Sequence, residues 1–171
     1  MLCGAYFLSL GKTLMELGPL WLWPKDRLIP LVREVRGQAL LDDAFSGGKG
    51  AMVLCPHMGT WELVGPFLSV QHPMTILYQP FEQADIAAFM QAARERLGAK
   101  LVPTDMSGVR ALLSSLKRNE FVGILPDQDP GDNGGVYAPF FGRPANTMVL
   151  ASKLLRKSQA PAFFTVCERL S

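Results

Sequence analysis

Ala51-Met52-Val53-Leu54-Cys55-Pro56-His57-Met58-Gly59-Thr60-Trp61-Glu62 joins five apolar residues to an imidazole, a glycine and a carboxylate. The run from Ala51 to Cys55 reads as a short buried strand. Gly59 permits a tight exit from it, and Gly59 or Thr60 caps a helix carrying Leu63, Val64, Phe67 and Leu68. His57 then stands at the carboxyl end of a strand. Inside one helix, five positions of about 100° each would leave His57 and Glu62 roughly 140° apart, on different faces. With His57 in the turn and Glu62 in the first helical turn, the two can meet. A histidine whose ring N–H is held by a carboxylate keeps the tautomer that accepts a proton from a hydroxyl. The plainer interpretation is structural, since Glu favours the positive end of a helix and a single His at a strand end is often only hydrogen-bonded.

Working outward, Met74 to Tyr78, Lys100 to Val102 and Phe121 to Leu125 read as further strands, and Pro161 to Cys167 as a last one. Asp85 to Leu97 is an amphipathic helix with Ile86, Phe89, Met90, Ala93 and Leu97 on one face and Gly98 as its stop. Ser107 is expected to cap a helix whose Val109, Leu112, Leu113 and Leu116 repeat at helical spacing, and Asn146 or Thr147 to open one bearing Lys153, Arg156 and Lys157. This alternation predicts an α/β fold, a mixed central sheet flanked by helices, with functional groups at the strand ends. His57 and Asp127 both lie at such ends. From Asp127 to Asn146 runs a connection rich in Gly, Pro and Asp. Loops this long inside compact domains are usually functional. Its Phe140 and Phe141 are expected either to line an apolar groove for a lipid chain or to anchor the loop on the core.

The chain's 171 residues suit one domain, and 49% hydrophobic with 19% charged residues is the balance of a globular protein. A net charge of +2, with basic residues scattered in small groups such as Arg94 with Arg96 and Lys117 with Arg118, gives nucleic acid no footprint. Cys3, Cys55 and Cys167 are odd in number and lack C-x-x-C or His-rich company, which argues against a disulfide framework and a zinc site and for a reducing compartment. Residues 1–23 are apolar yet carry Lys12 and Glu16. Their uninterrupted apolar stretch falls short of the roughly 20 residues a bilayer requires, and no basic region precedes it as in a signal peptide. Ser9, Lys12, Thr13 and Glu16 follow i, i+3, i+4, i+7, which predicts a helix with one narrow polar stripe. Such a helix is expected to pack on the core or to lie on a membrane surface, assisted by Trp21 and Trp23.

Three blocks in order carry a resemblance: His57-x4-Glu62 within HMGTWEL, Leu125-Pro126-Asp127-Gln128-Asp129-Pro130, and Tyr137-Ala138-Pro139-Phe140-Phe141-Gly142 followed by Ala145-Asn146-Thr147. Together they resemble the bacterial lipid A biosynthesis acyltransferases, the lauroyl- and myristoyl-transferase relatives within the glycerolipid acyltransferase-like group. The resemblance runs from about Leu10 to the last residues, with softer matches at Gly11 to Glu16 and Gly108-Val109-Arg110. It implies transfer of a fatty acyl group from the thioester of acyl carrier protein to a hydroxyl of a lipid A precursor. His57 would be the catalytic base and Glu62 its partner, with Asp127 and Gln128 at the active-site rim. Arg94 is a candidate for the oxyanion or for substrate phosphates, and Phe140 and Phe141 for the acyl chain. No metal or cofactor is implied, because the donor carries its own phosphopantetheine thioester. The implied partners are acyl carrier protein, a glycolipid acceptor and a membrane surface, and the implied location is peripheral, on the cytoplasmic face of the bacterial inner membrane.

Two departures accompany the resemblance. Tyr78-Gln79-Pro80 stands where the family often has Tyr-Arg-Pro, which removes a charge suited to an acceptor phosphate. The chain is also shorter at both ends than such proteins, so residues 1–171 are expected to form a single incomplete acyltransferase domain, with 1–23 as an amphipathic, membrane-contacting helix.

Three other functions compete. Asp127-Gln128-Asp129 matches a D-x-D pattern that can hold a divalent cation against a nucleotide sugar, as in glycosyltransferases. Cys55 and His57 share a strand face, as a cysteine hydrolase would need, although about 3.3 Å per residue sets their Cα atoms nearly 7 Å apart. A remnant that binds lipid or acyl carrier without turnover would account for the chain's shortness and for Gln79.

Overall fold

The apolar runs pair side by side into one parallel sheet. This computed structural model describes residues 2–132 and 134–170, with side chains from Phe7 onward. Its strands are β1 (Ala51–Leu54), β2 (Met74–Tyr78), β3 (Ala99–Pro103), β4 (Phe121–Ile124), β5 (Gly135–Phe140), β6 (Arg143–Met148) and β7 (Ala162–Phe164). Its helices are α1 (Leu2–Leu22), α2 (Lys25–Leu28), α3 (Gln38–Ser46), α4 (Val64–Ser69), α5 (Ala84–Glu95), α6 (Met106–Lys117) and α7 (Leu150–Ser158), with 3-10 turns at Ile29–Leu31 and Trp61–Leu63. Five strands form a sheet in the order β3-β2-β4-β1-β7, parallel at every pairing. Among the described residues, antiparallel pairing is confined to the separate β5–β6 hairpin. The α/β expectation therefore holds, with a parallel central sheet in place of the expected mixed one.

A parallel sheet with helices on both faces buries its central strands completely, so they appear in sequence as unbroken apolar runs. Every residue of β1 and β4 is buried. Alternate residues serve opposite layers. Met52, Leu54, Val122 and Ile124 pack with Leu112 and Leu116 of α6 and Leu154 of α7. Val53, Cys55 and Phe121 pack with Val64 and Leu68 of α4 and Leu41 of α3. The buried hydroxyls of Thr75 and Ser115 satisfy each other at 2.8 Å across the β2–α6 contact. Since β1 and β4 are neighbours, the residues following their carboxyl ends emerge side by side. Those residues include His57 and Asp127.

Four local expectations change. The cap of α6 is Asp105, whose Oδ1 accepts from the backbone N–H of Ser107 and Gly108 at 2.7 and 3.0 Å, so Ser107 lies inside the helix it was expected to cap. Asp127 to Asn146 is not one long loop. Most of it is hairpin, closed by Phe141 and Gly142 at φ 49° and 76°. Two-residue hairpin turns of this left-handed kind normally carry Asn-Gly or Asp-Gly, and Pro within a run argues against a strand. Phe at the first turn position and Pro139 and Pro144 in the strands hide the hairpin in the sequence. Asn146 and Thr147 consequently belong to β6, and α7 begins only at Leu150.

The fourth change concerns α1. Its polar stripe is the side that meets the rest of the protein: Arg169 forks onto Glu16 at 2.6 and 2.9 Å and donates to Thr13 Oγ1 at 2.7 Å. Leu8, Leu14 and Met15 are 64%, 60% and 81% exposed, which is not the burial of a core-packing helix. Toward its end α1 joins the core, through Leu20 and Trp21 against Leu28 and Leu63. No helix among the described residues is long and apolar enough to cross a membrane.

Candidate active site

His57 is gripped twice by one carboxylate. Its backbone N–H donates to Asp127 Oδ2 at 2.8 Å, and its ring Nδ1 lies 2.9 Å from Asp127 Oδ1. Burial disfavours the charge on Asp127, but the hydrogen bonds from the His57 ring and backbone outweigh it and hold the carboxyl below its ordinary range. An ionised carboxylate only accepts, so Nδ1 carries the proton. The Nε2 lone pair is then the basic one, and His57 lines an open cleft. Trp61 packs against the imidazole at 4.7 Å between ring centroids and limits its rotation.

The turn that presents His57 is fixed from behind. Gly59 has φ +60°, and a Cβ there would lie 2.0 Å from the carbonyl oxygen of Cys167. That carbonyl accepts the Thr60 N–H at 2.8 Å, which ties the turn to the segment after β7. Only glycine gives the left-handed conformation and the close approach together.

The expected contact between His57 and Glu62 gives way to another arrangement. Glu62 is 6% exposed, and both its oxygens are occupied. Oε1 accepts from Arg94 Nε at 2.5 Å and from Trp21 Nε1 at 2.8 Å, while Oε2 accepts from Arg94 Nη2 at 3.0 Å. The 3-10 geometry of Trp61–Leu63 turns Glu62 toward α1 and α5, and Trp61 toward His57. Arg94 spends its planar fork on Glu62, with its guanidinium 5.8 Å from the Trp61 ring centroid. The network thus joins α1, α5 and the wall of the site.

The cleft has a volume of about 1640 Å³ and runs from α1 past His57 to the sheet. Its polar lining includes His57, Asp127, Gln128, Gln79 and Thr104. Its apolar lining includes Val53, Val64, Met74, Ile76 and Phe89, and Met74 and Ile76 pack so closely over Gly65 and Gly123 that a Cβ at either glycine would meet one of them at under 3.0 Å. A long apolar trough beside a held imidazole can place an alkyl chain and a reacting carbonyl at once.

Gln128 is exposed on the rim. Phe140 and Phe141 are 65% and 93% exposed at the hairpin tip, so they neither line the cleft nor anchor a loop on the core. Asp129 accepts from the Gly131 N–H at 2.9 Å and from Asn146 at 2.8 Å, so the two carboxylates of the D-x-D pattern serve different hydrogen bonds. Among the described residues no group of three or more His, Cys, Asp or Glu is arranged to hold a metal ion. Burial, with the nearby Asp127 and Glu62 charges adding to it, pushes the Cys55 thiol up to about 12. Cys55 is thus a core residue and a poor nucleophile. It is expected to resist iodoacetamide in the native protein at pH 8 and to react fully in denaturant, as peptide mass spectrometry would record.

The pairing of His57 with Asp127 was hidden in the sequence because the two stand 70 positions apart. Their neighbourhood depends on β4 lying beside β1, which strand patterns do not determine.

A family model described as bacterial lipid A biosynthesis acyltransferase matches residues 2–169. A lipid A biosynthesis palmitoleoyltransferase of Escherichia coli (strain K12) is 30% identical over 160 residues, 94% of this chain and 51% of that protein. The lipid A biosynthesis lauroyltransferase of the same strain is 30% identical over 79% of this chain and 43% of its own length. A phosphatidylinositol mannoside acyltransferase of Mycobacterium tuberculosis (strain ATCC 25618 / H37Rv) is 29% identical over 80% of this chain and 44% of its own. The chain spans about half the length of the curated relatives it matches.

Proposed function

The chain belongs to the bacterial lipid A biosynthesis acyltransferase family, and on that premise we propose that it takes part in transferring a fatty acyl group from an acyl carrier protein thioester to a hydroxyl of a lipid A precursor or related glycolipid. The observation that carries this reading is the double grip of Asp127 on His57 at the head of the apolar cleft. His57 Nε2 takes the proton of the acceptor hydroxyl as its oxygen attacks the thioester carbonyl carbon. Asp127 stabilises the imidazolium that forms. Collapse of the tetrahedral intermediate breaks the C–S bond, and the imidazolium returns its proton to the departing thiolate. The enzyme forms no covalent intermediate. Glu62 acts as a positioning residue, holding Arg94 and, through it, the Trp61 wall.

The relatives' names support a glycolipid acceptor. Such an acceptor resides in a bilayer, and the exposed apolar side of α1 suits a peripheral position on the cytoplasmic face of the inner membrane. The test is incubation of the purified chain with labelled acyl carrier thioester and a lipid A precursor, with and without EDTA. Label is expected in the glycolipid in both cases. A requirement for metal together with a nucleotide sugar would favour the D-x-D glycosyltransferase reading. Binding of both substrates without transfer would favour the non-catalytic one.

The apolar lining of the cleft makes a further prediction. A Cβ at Gly123 would lie 2.8 Å from Met74 Cε and 3.2 Å from Ile76 Cγ1, on the cleft floor. Gly123→Ala is therefore expected to shift donor preference toward shorter acyl chains, read as relative kcat/KM across a series of acyl thioesters. An unchanged series would remove the chain from this part of the cleft.

A further inference from the structure

The β5–β6 hairpin stands apart from the five-stranded sheet as an arm. Among the described residues its strands pair with each other and with no other strand. Val136 is 55% and Tyr137 79% exposed, so neither face of the arm is covered. A lone two-stranded hairpin has little stability of its own, and this one is fastened where it leaves the domain. Asn146 Nδ2 donates to Asp129 Oδ1 at 2.8 Å and to the Gly131 carbonyl at 2.9 Å, two and four residues beyond the carboxylate that holds His57. The arm thus rises from the same end of the sheet as the candidate active site.

Its tip is built against two ordinary preferences. Phe141 is 93% exposed and sits at φ +49°, a conformation that bulky side chains rarely adopt. Asn-Gly would close this turn without either penalty. Phe140, 65% exposed, stacks edge-on against Phe141 with ring centroids 4.6 Å apart. Arg143 follows the rings, Tyr137 lies lower on the arm, and Gly135 to Met148 contains no acidic residue. Apolar tip, cation and amphipathic aromatic succeed one another as hydrocarbon, phosphate and interface do in a bilayer.

We propose that the Phe140–Phe141 tip inserts into the surface of an anionic phospholipid bilayer, with Arg143 against the lipid phosphates. The choice of a bilayer as the occupant rests on the membrane glycolipid acceptor proposed above. Insertion would seat the arm, and the Asp127–His57 pair at its root, at the surface where such an acceptor lies.

The experiment is flotation of the full chain with anionic vesicles of phosphatidylethanolamine and phosphatidylglycerol, and with neutral vesicles of phosphatidylcholine. Wild type is compared with the Phe140→Ser/Phe141→Ser double variant, Phe141→Trp, Arg143→Ala and His57→Ala. The double variant is expected to bind at least about tenfold more weakly, from the apolar area it no longer buries. Phe141→Trp should bind as wild type does, and Arg143→Ala should lose affinity only for the anionic vesicles. His57→Ala should float normally while losing transfer, so failure of the catalytic reading remains distinguishable from failure of this one. Because the tip is exposed, the double variant should keep the wild-type Tm. Equal vesicle binding by wild type and double variant would overturn the proposal. So would a vesicle-free dimer, seen by sedimentation, that the double variant abolishes.

Discussion

Asp127→Asn is expected to slow acyl transfer on the order of 10²–10⁴-fold while leaving the protein folded. Asp127 accepts two hydrogen bonds from one residue, the ring and the backbone N–H of His57. An asparagine has one carbonyl oxygen and one amide nitrogen, so it can accept only one of them in that geometry. If the oxygen serves the backbone, the amide faces Nδ1 as a donor. The ring proton then moves to Nε2, and the base loses the lone pair that faces the acceptor. If the oxygen serves the ring, the His57 backbone N–H loses its partner and the turn shifts. Either result shows as a fall in kcat with little change in the far-ultraviolet circular dichroism. The pH dependence follows from the same contacts. Asp127 titrates below its ordinary 3.8 in the folded state, so the stability it contributes is complete above that value. It is lost as pH falls through the lower, folded value. Between pH 6 and 8 Asp127 should contribute no change to the rate profile.

Glu62→Ala is expected to act mainly on the fold. Its side chain is 4% exposed and that of Arg94 20%, so truncation leaves a largely buried guanidinium unpaired and the Trp21 N–H without its acceptor. Breaking a buried pair from one side costs about 3–5 kcal/mol, on the order of 10 °C in Tm for a chain of this size. Thermal denaturation followed by circular dichroism reads this directly. Glu62→Leu combined with Arg94→Leu should recover much of the loss, because the unpaired charge is gone. Were Glu62 instead the carboxylate that serves His57, its removal would depress kcat as deeply as Asp127→Asn, at temperatures where the variant is fully folded. The positions of Arg94 and Trp21 predict a smaller effect on rate than on Tm.

The sequence exposed the sheet more readily than the site. Ala51 to Leu54 and Phe121 to Ile124 are buried on both faces, and uninterrupted apolar runs followed by Pro declare such strands well. The hairpin was concealed because its turn uses Phe141 where Asn is customary and its strands include Pro139 and Pro144. The site was half visible. His57 could be placed at a strand end from the glycine two residues on, and Asp127 at another. Which carboxylate reaches the imidazole depends on strand order and on the handedness of a 3-10 turn, and neither is written in residue spacing. Glu62 at five positions seemed the nearer partner. The fold turns it to the other side of the wall, toward a tryptophan 41 residues before it and an arginine 32 after it.

In the proposed reaction His57, held by Asp127, is the base that activates the acceptor hydroxyl. Single-turnover transfer of a labelled acyl group from acyl carrier thioester to a lipid A precursor, with wild type and His57→Ala side by side at matched Tm, addresses that role most directly. Label is expected in the glycolipid with wild type, and a rate lower by about 10²–10⁴-fold in the variant. Equal rates in the two proteins would contradict that role.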